Sequence, residues 1–343
     1  MRHAGNQRGI ALLVVLLTIT LLTIVVVEFT YSSQVETHFA FSGRNALQAT
    51  YLARSGVNIA EAILVRDAQL GPTDSEQDIW ARPLPPLPVG DGTVALRVRD
   101  EARTLNINDI TSGGGIANAF ESRRRVFERL FDVLGVDRRI LAALIDWLDG
   151  DDDPWPSPQG AERTYYLGLE PPIEIRNGPF VTVREMVLVR GMTPSILARL
   201  TDFITVLPPA RSLKVNVNTA PAEVLYALAD GLMAEPGLVD RLIAARTEKP
   251  FASPRDVKDV PGVAEALGNT PEEFLDTKSA YFRIEAVGAV NDVARGVVTT
   301  VQRDTVGRGR VRRLTWAPST ATLSLTSQPP SDFLATLPPL GGG

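Results

Sequence analysis

Ile10-Ala11-Leu12-Leu13-Val14-Val15-Leu16-Leu17-Thr18-Ile19-Thr20-Leu21-Leu22-Thr23-Ile24-Val25-Val26-Val27 is a run of eighteen residues without a charge, a glycine or a proline. At about 1.5 Å of rise per residue it reaches roughly 27 Å, close to the ~30 Å hydrocarbon core of a bilayer. The run is therefore long enough to span a membrane. A secretory signal has a shorter apolar core with a small-residue cleavage site after it, whereas the site here, Gly9-Ile10, lies before the run. Cleavage there keeps the hydrophobic helix. Arg2 and Arg8 are the charges ahead of the span and Glu28 is the first one after it, so the positive-inside bias puts residues 1–9 in the cytoplasm and everything after Glu28 outside.

All 40 acidic residues but only 33 of the 35 basic ones lie beyond the span, a formal charge of about −7 for the exported part. An acidic domain is a poor generic nucleic-acid binder. The chain has no cysteine, so no disulfide braces it and a thiol nucleophile is excluded. Once a leader carrying His3 is removed, His38 on the stalk is the remaining histidine. A histidine-based triad or zinc site is then untenable, and the chain reads as a non-enzyme.

Beyond the span, small or apolar residues recur at spacings of four and three: Phe39, Ser42, Ala46, Ala49, Ala53, Gly56, Ala60, Ile63. This is a seam on a helix that continues the span, and it is expected to dock the stalk onto its own globular domain. Val94, Leu96 and Val98 alternate with Arg97 and Arg99, the period of a half-buried strand. From about Ile116 the period becomes helical: Val126, Leu130, Phe131 and Leu134 end at Gly135, and Ile140, Leu141, Leu144 and Leu148 end at Gly150. Thr182-Val183-Arg184-Glu185 fits a capping box for a helix stopping at Gly191, and Pro194 suits a first helical turn. Strands are expected at residues 214–218, 281–290, 297–303 and 311–316, and helices at 221–228 and 238–248.

Asp146, Asp149, Asp151, Asp152, Asp153 and Glu162 concentrate carboxylates in a segment that glycine and proline break into a loop. Calcium takes about six to eight oxygens at roughly 2.3–2.6 Å, which a tight acidic turn plus one distant carboxylate can supply. The spacing is not that of an EF-hand. Without a cation this is an acidic helix C-terminus that opposes the helix dipole.

Arg8-Gly9 followed by Ile10 and seven further apolar residues resembles the class III signal of type IV pilins and type II secretion pseudopilins. The resemblance implies cutting between Gly9 and Ile10 by a prepilin peptidase. Most of those proteins have glutamate as the fifth mature residue, where this chain has Val14. In fibres that glutamate pairs with the N-terminal amine of the neighbouring subunit, and a subunit with nobody ahead of it needs none. Together with the large exported region this resembles the K-type minor pseudopilin family, the tip subunit. Leu105-Asn106-Ile107-Asn108, Asp146-Trp147-Leu148-Asp149-Gly150-Asp151, Gly160-Ala161-Glu162 with Tyr165 and Tyr166, Pro171-Pro172 and Val215-Asn216-Val217-Asn218-Thr219-Ala220 follow that family's pattern in order.

The resemblance implies an α+β fold in which an N-terminal transmembrane and stalk helix packs on a pilin-like antiparallel sheet carrying a large all-helical insertion. The expected division is leader 1–9, transmembrane helix 10–27, stalk helix 28–68, first part of the α+β domain 69–115, helical insertion 116–207, remainder 208–316 and disordered tail 317–343. It implies assembly residues Ile10 and Val14 and a structural calcium ion, for which Asp149, Asp151, Asp153 and Glu162 are the ligand set. It further implies I-type and J-type minor pseudopilins, the prepilin peptidase and the inner-membrane assembly platform as partners, and an inner-membrane location with a periplasmic domain. The implied function is capping of the pseudopilus tip. The alternative is a minor pilin of a type IV or DNA-uptake pilus with a ligand-binding tip. Residues 187–192 and 257–263 resemble helix-hairpin-helix turns, but Thr193 and Ala264 replace the second glycine that lets phosphate approach, so a structural role is preferred.

Overall fold

The structure, a computed structural model, describes residues 7–112, 119–155, 160–304 and 309–319. Leader residues 1–6 and tail residues 320–343 lie outside the described residues. Helix α1 (Gln7–Leu70) runs unbroken for 64 residues, about 96 Å. Within the apolar run Thr18, Thr20 and Thr23 each donate a hydroxyl to the carbonyl four residues back at 2.8 Å, so these hydroxyls need no partner from lipid. The run is wholly exposed on the folded body, as a membrane anchor is.

After α1 come β1 (Leu87–Val89), β2 (Gly92–Asp100) and β3 (Leu105–Asn106). Helices α2 (Ala119–Val133), α3 (Arg138–Leu148), α4 (Arg163–Leu167) and α5 (Pro194–Leu200) follow, closed by β4 (Ile204–Thr205). A second group runs from β5 (Val215–Asn216) through α6 (Ala222–Leu228), α7 (Asp230–Ala234), α8 (Pro236–Glu248) and α9 (Val263–Leu267) to β6 (Leu275–Asp276). The chain finishes with β7 (Tyr281–Val290), β8 (Val293–Arg303), β9 (Val311–Arg313) and β10 (Ala317–Ser319). The main sheet has the order β1-β2-β7-β8-β10, with β9 also on β8, and every pairing in it is antiparallel.

β2 and β7 are neighbours, with Asp100 opposite Phe282. Residues 101–280 therefore leave and rejoin the sheet at one connection, and the insertion is longer than the expected 116–207. Described residues from Ala119 to Leu200 form helices and no strand, as expected, and short strand pairs close the insertion outside them. The ends of its first part clasp as a parallel pair, β3 with β4, and the ends of its second part as β5 with β6. Two-residue strands carry no readable period, which is why sequence periodicity misplaced these boundaries.

The two parts repeat one design. Asn108 holds the backbone of Phe180 with both ends of its amide, donating to the carbonyl and accepting from the N–H at 2.9 Å each. Asn218 does the same to Phe251, at 3.0 and 2.8 Å. After each phenylalanine an acid closes a turn: Glu185 accepts from the N–H of Val181 at 3.0 Å and Asp256 from that of Ala252 at 2.9 Å. The expected capping box at Thr182 is replaced by this turn and a 3-10 segment, Val183–Leu188, because Glu185 reaches past Thr182 to Val181. One hydrophobic core unites both repeats and a separate one joins α1 to the sheet.

The stalk seam divides in two. Ala53, Gly56, Ala60 and Ile63 are buried against Leu96, Val98, Ile284 and Ala286 and Ala49 is buried against Gly288, whereas Phe39 and Ser42 remain exposed. The small side chains bring backbone onto backbone at Gly288, where an added Cβ would sit 2.2 Å from the Ala49 carbonyl oxygen and 2.6 Å from the Ala53 nitrogen. Neither atom can move without shifting α1. Gly288→Ala should therefore cost about 1–3 kcal/mol by overpacking, read as a lowered thermal midpoint, whereas Gly43→Ala, inside α1 with nothing within 4 Å, should leave the midpoint unchanged or slightly raised, since alanine is the better helix former. Equal midpoints for the two variants would contradict this packing. After β9, Ala317–Ser319, expected in the disordered tail, form a strand on β8, with Gly296 making room for the Ser319 backbone.

Candidate metal centre

The first repeat carries an excursion that the second lacks. Residues 149–178 separate α3 from Pro179, where Lys249 alone separates α8 from Pro250. The excursion is pinned by aromatic rings. Trp147 at the end of α3 stacks on Phe180 at 5.6 Å between centroids and meets Tyr166 edge-on at 5.3 Å. Tyr166 is fully buried and its hydroxyl accepts from the Arg190 N–H at 3.1 Å. The Arg190 guanidinium lies over Tyr165 and donates to the Gly160 carbonyl at 3.1 Å.

This frame brings Asp146, Asp149 and Glu162 together, with one carboxylate oxygen from each within 4.8 Å of the others. Asp146 and Glu162 are buried and Asp149 is half-buried. Asp146 Oδ1 accepts from the Trp155 N–H at 3.0 Å. Asp146 Oδ2, Asp149 Oδ1 and both oxygens of Glu162 are buried with no hydrogen-bond partner among the described residues. Burial, then repulsion from Asp151 and Asp146, pushes the Asp149 carboxyl up to about 7. Burial and the neighbouring aspartates raise Glu162 to about 7 as well, and burial raises Asp146. Gly160 is required here because a Cβ would stand 1.9 Å from Asp146 Oδ2.

A second carboxylate cluster shows what a satisfied one looks like. Asp67, Asp74 and Asp78 also gather within 4.8 Å, at the end of α1. There Arg303 supplies the positive charge, donating to Asp67 at 3.0 Å and to Asp74 Oδ2 at 2.6 Å. Around Asp146, Asp149 and Glu162 no arginine or lysine plays that part among the described residues. Three clustered acids with four buried, unpaired oxygens fit a hard, oxygen-preferring cation.

Of the expected ligand set, the structure brings Asp149 and Glu162 into the cluster and adds Asp146. Asp151 and Asp153 are exposed, and Asp151 Oδ1 accepts from the Asp153 N–H at 3.0 Å, closing a turn beside the cluster. Asn177 was not legible as a candidate. Its amide donates to the Asp151 carbonyl at 2.8 Å, and its Oδ1 is a further buried oxygen without a partner. At the expected processing and assembly segment Gly9 lies inside α1, Ile10 is 59% exposed and Val14 56% exposed.

A family profile described as "Type II secretion system (T2SS), protein K" matches residues 103–209, the first repeat, and a second of the same description matches 215–278, the second repeat. Type II secretion system protein K of Pseudomonas aeruginosa is 30% identical over 318 residues, covering 89% of this chain and 92% of the relative. This chain belongs to the type II secretion system protein K family. The Klebsiella pneumoniae member is 31% identical over 256 residues, covering 72% of this chain and 78% of the relative. A chain from the GspK-GspI-GspJ complex of enterotoxigenic Escherichia coli superposes with a TM-score of 0.69 at 19% identity, over 82% of this chain and 99% of that one. The family places this protein in the type II secretion system, and its N-terminal apolar helix fits a single-pass anchor.

Proposed function

We propose that this protein is a minor pseudopilin that caps the tip of the type II secretion pseudopilus and, with I-type and J-type partners, initiates fibre assembly for export across the outer membrane. The observation that carries this reading is the position of the insertion. Ala49, close to Gly288, marks the end of the sheet nearer the membrane, and Asp67, bonded to Arg303, marks the far end. The insertion leaves at Asp100 and returns at Tyr281, on the far end, so residues 101–280 cover the surface on which a further subunit would sit. The structural relative comes from a GspK-GspI-GspJ complex, which supports I-type and J-type partners. Val14 in place of a glutamate agrees with a subunit that has no neighbour ahead.

In this reading the span lies in the inner membrane, the N-terminus is cytoplasmic and the globular domain periplasmic. A prepilin peptidase removes residues 1–9, the inner-membrane platform extracts the mature chain, and calcium held by Asp146, Asp149 and Glu162 fastens the excursion of the first repeat. The protein acts by assembly and catalyses no reaction. Gly9→Leu should block processing, because the peptidase must seat a small residue at the membrane surface. Intact mass should show the wild type beginning at Ile10 and the variant retaining the leader, and only the wild type should co-purify with I-type and J-type minor pseudopilins expressed alongside. Wild-type protein beginning elsewhere, or equal co-purification of both forms, contradicts the reading.

A further inference from the structure

The face of β2 and β7 turned away from α1 concentrates arginines against the grain of an acidic domain. Arg97 and Arg99 project from that face, and Arg99 stands directly opposite Arg283 in the sheet register. Like charges at facing positions destabilise a strand pair. Two adjoining cavities of about 430 and 350 Å³ share Arg99 and Arg103, the first lined also by Arg82 and Arg97, the second by Arg184 and Arg283. Of the acids in their walls, Asp100 and Glu101 are buried and already committed, Asp100 to Thr219 and Asn216, Glu101 to Thr205. The remaining acids, Glu76, Asp202 and Glu285, face twice as many arginines. Among the described residues only Arg283 of this set is paired, with Glu285 at 3.5 Å. Arg97, Arg99, Arg103 and Arg184 make no ion pair among the described residues, and Arg103 Nε is buried without an acceptor.

We propose that this arginine groove is a docking surface for an acidic, extended segment of a partner protein. The repeat supports that occupant. Alternate residues on one face of a strand stand about 6.8 Å apart, so a segment with acids at every second position matches Arg97 and Arg99. A lipid headgroup is out of reach, because Leu96 packs beside Gly56, and about 40 Å of helix separates that level from the end of the span at Val27. A single small anion is too short for two joined cavities. A nucleic acid would have to approach a domain whose remaining surface is acidic.

The test uses the full-length protein in a nonionic detergent and a fluorescein-labelled Glu-Ser-Glu-Ser-Glu-Ser-Glu-Ser peptide, read by fluorescence anisotropy at about 150 mM salt, where only close charge pairs escape screening. Saturable binding is expected, weakened at least about tenfold by Arg97→Glu with Arg99→Glu. The same change of charge placed at the exposed Arg66 and Arg295 should leave binding within about twofold. Thermal melts check that each variant folds, and Arg97→Gln with Arg99→Gln takes the place of the glutamate pair if that pair does not. Absent binding, equal weakening by both double variants, or tighter binding of a single-stranded oligothymidylate of equal charge overturns the proposal.

Discussion

Chelating calcium should lower the melting temperature of the full-length protein, and the loss should disappear in Asp149→Ala with Glu162→Ala. A ligand that binds only the folded state at about 100 times its dissociation constant adds ~2.7 kcal/mol, which for a domain of this size corresponds to a shift on the order of 5–10 °C. The physical source is the set of buried, unpaired oxygens on Asp146, Asp149 and Glu162. Without a cation these acids repel one another in a place from which water is largely excluded. Asp151→Ala with Asp153→Ala should keep most of the shift, because those side chains lie on the exposed turn. The shift should also narrow on acidification. Asp149 and Glu162 rise from 3.8 and 4.5 to about 7 on folding without metal, so the chelated protein takes up protons at these two groups on folding, and their contribution to stability is full below about pH 4 and is lost as the pH rises through 7. Protons then compete with the cation. The calcium-dependent shift should be small at pH 5 and full at pH 8, and a shift that is independent of pH, or that survives the Asp149 and Glu162 substitutions, places the ion elsewhere.

Arg303→Met should cost more than any other single substitution considered. Its guanidinium is buried over the ring of Phe282 and ties Asp67 at the end of α1 to Asp74 and to the Ser279 carbonyl at the base of β7. Removing one member of a buried charge cluster costs about 3–5 kcal/mol because the partners stay buried without compensation. The loss should depend on pH in a defined direction. Asp67 is already lifted to about 7 by burial and by Asp78 and Asp74 with Arg303 in place, and losing the arginine lifts it further. A carboxyl raised in the folded state stabilises at low pH and loses that contribution as the pH climbs through its folded value. The variant should therefore melt closest to the wild type near pH 5 and furthest from it near pH 8, and adding Asp67→Asn should recover part of the loss. A variant equal to the wild type at pH 8 would show that the stalk and sheet are joined by packing alone.

The span, the buried half of the stalk seam and β2 were legible because each has a period: an unbroken apolar run, a four-three spacing, an alternation of Val94, Leu96 and Val98 with arginines. The candidate metal centre was half legible. Carboxylate density located the segment, but choosing among six acids needs to know which side chains turn inward. Asp146 lies on the last turn of α3, where only the close approach of Gly160 reveals its role. Asn177 contributes through a left-handed backbone conformation, φ 44°, that no local pattern announced. The insertion's true limits were hidden for a related reason, since β3 and β4 pair across about a hundred residues through two residues each. Composition misled at Ala317–Ser319, where a proline-bearing segment forms the edge strand of the sheet, a place that tolerates proline.

As proposed, this subunit sits at one end of the fibre with its insertion facing outward. Gold labelling of an epitope in the exposed Asn291–Asp292 turn, on pseudopili overproduced with their native minor subunits, tests it directly. One label at one end of each fibre is the expected result, and label distributed along the shaft would contradict the account.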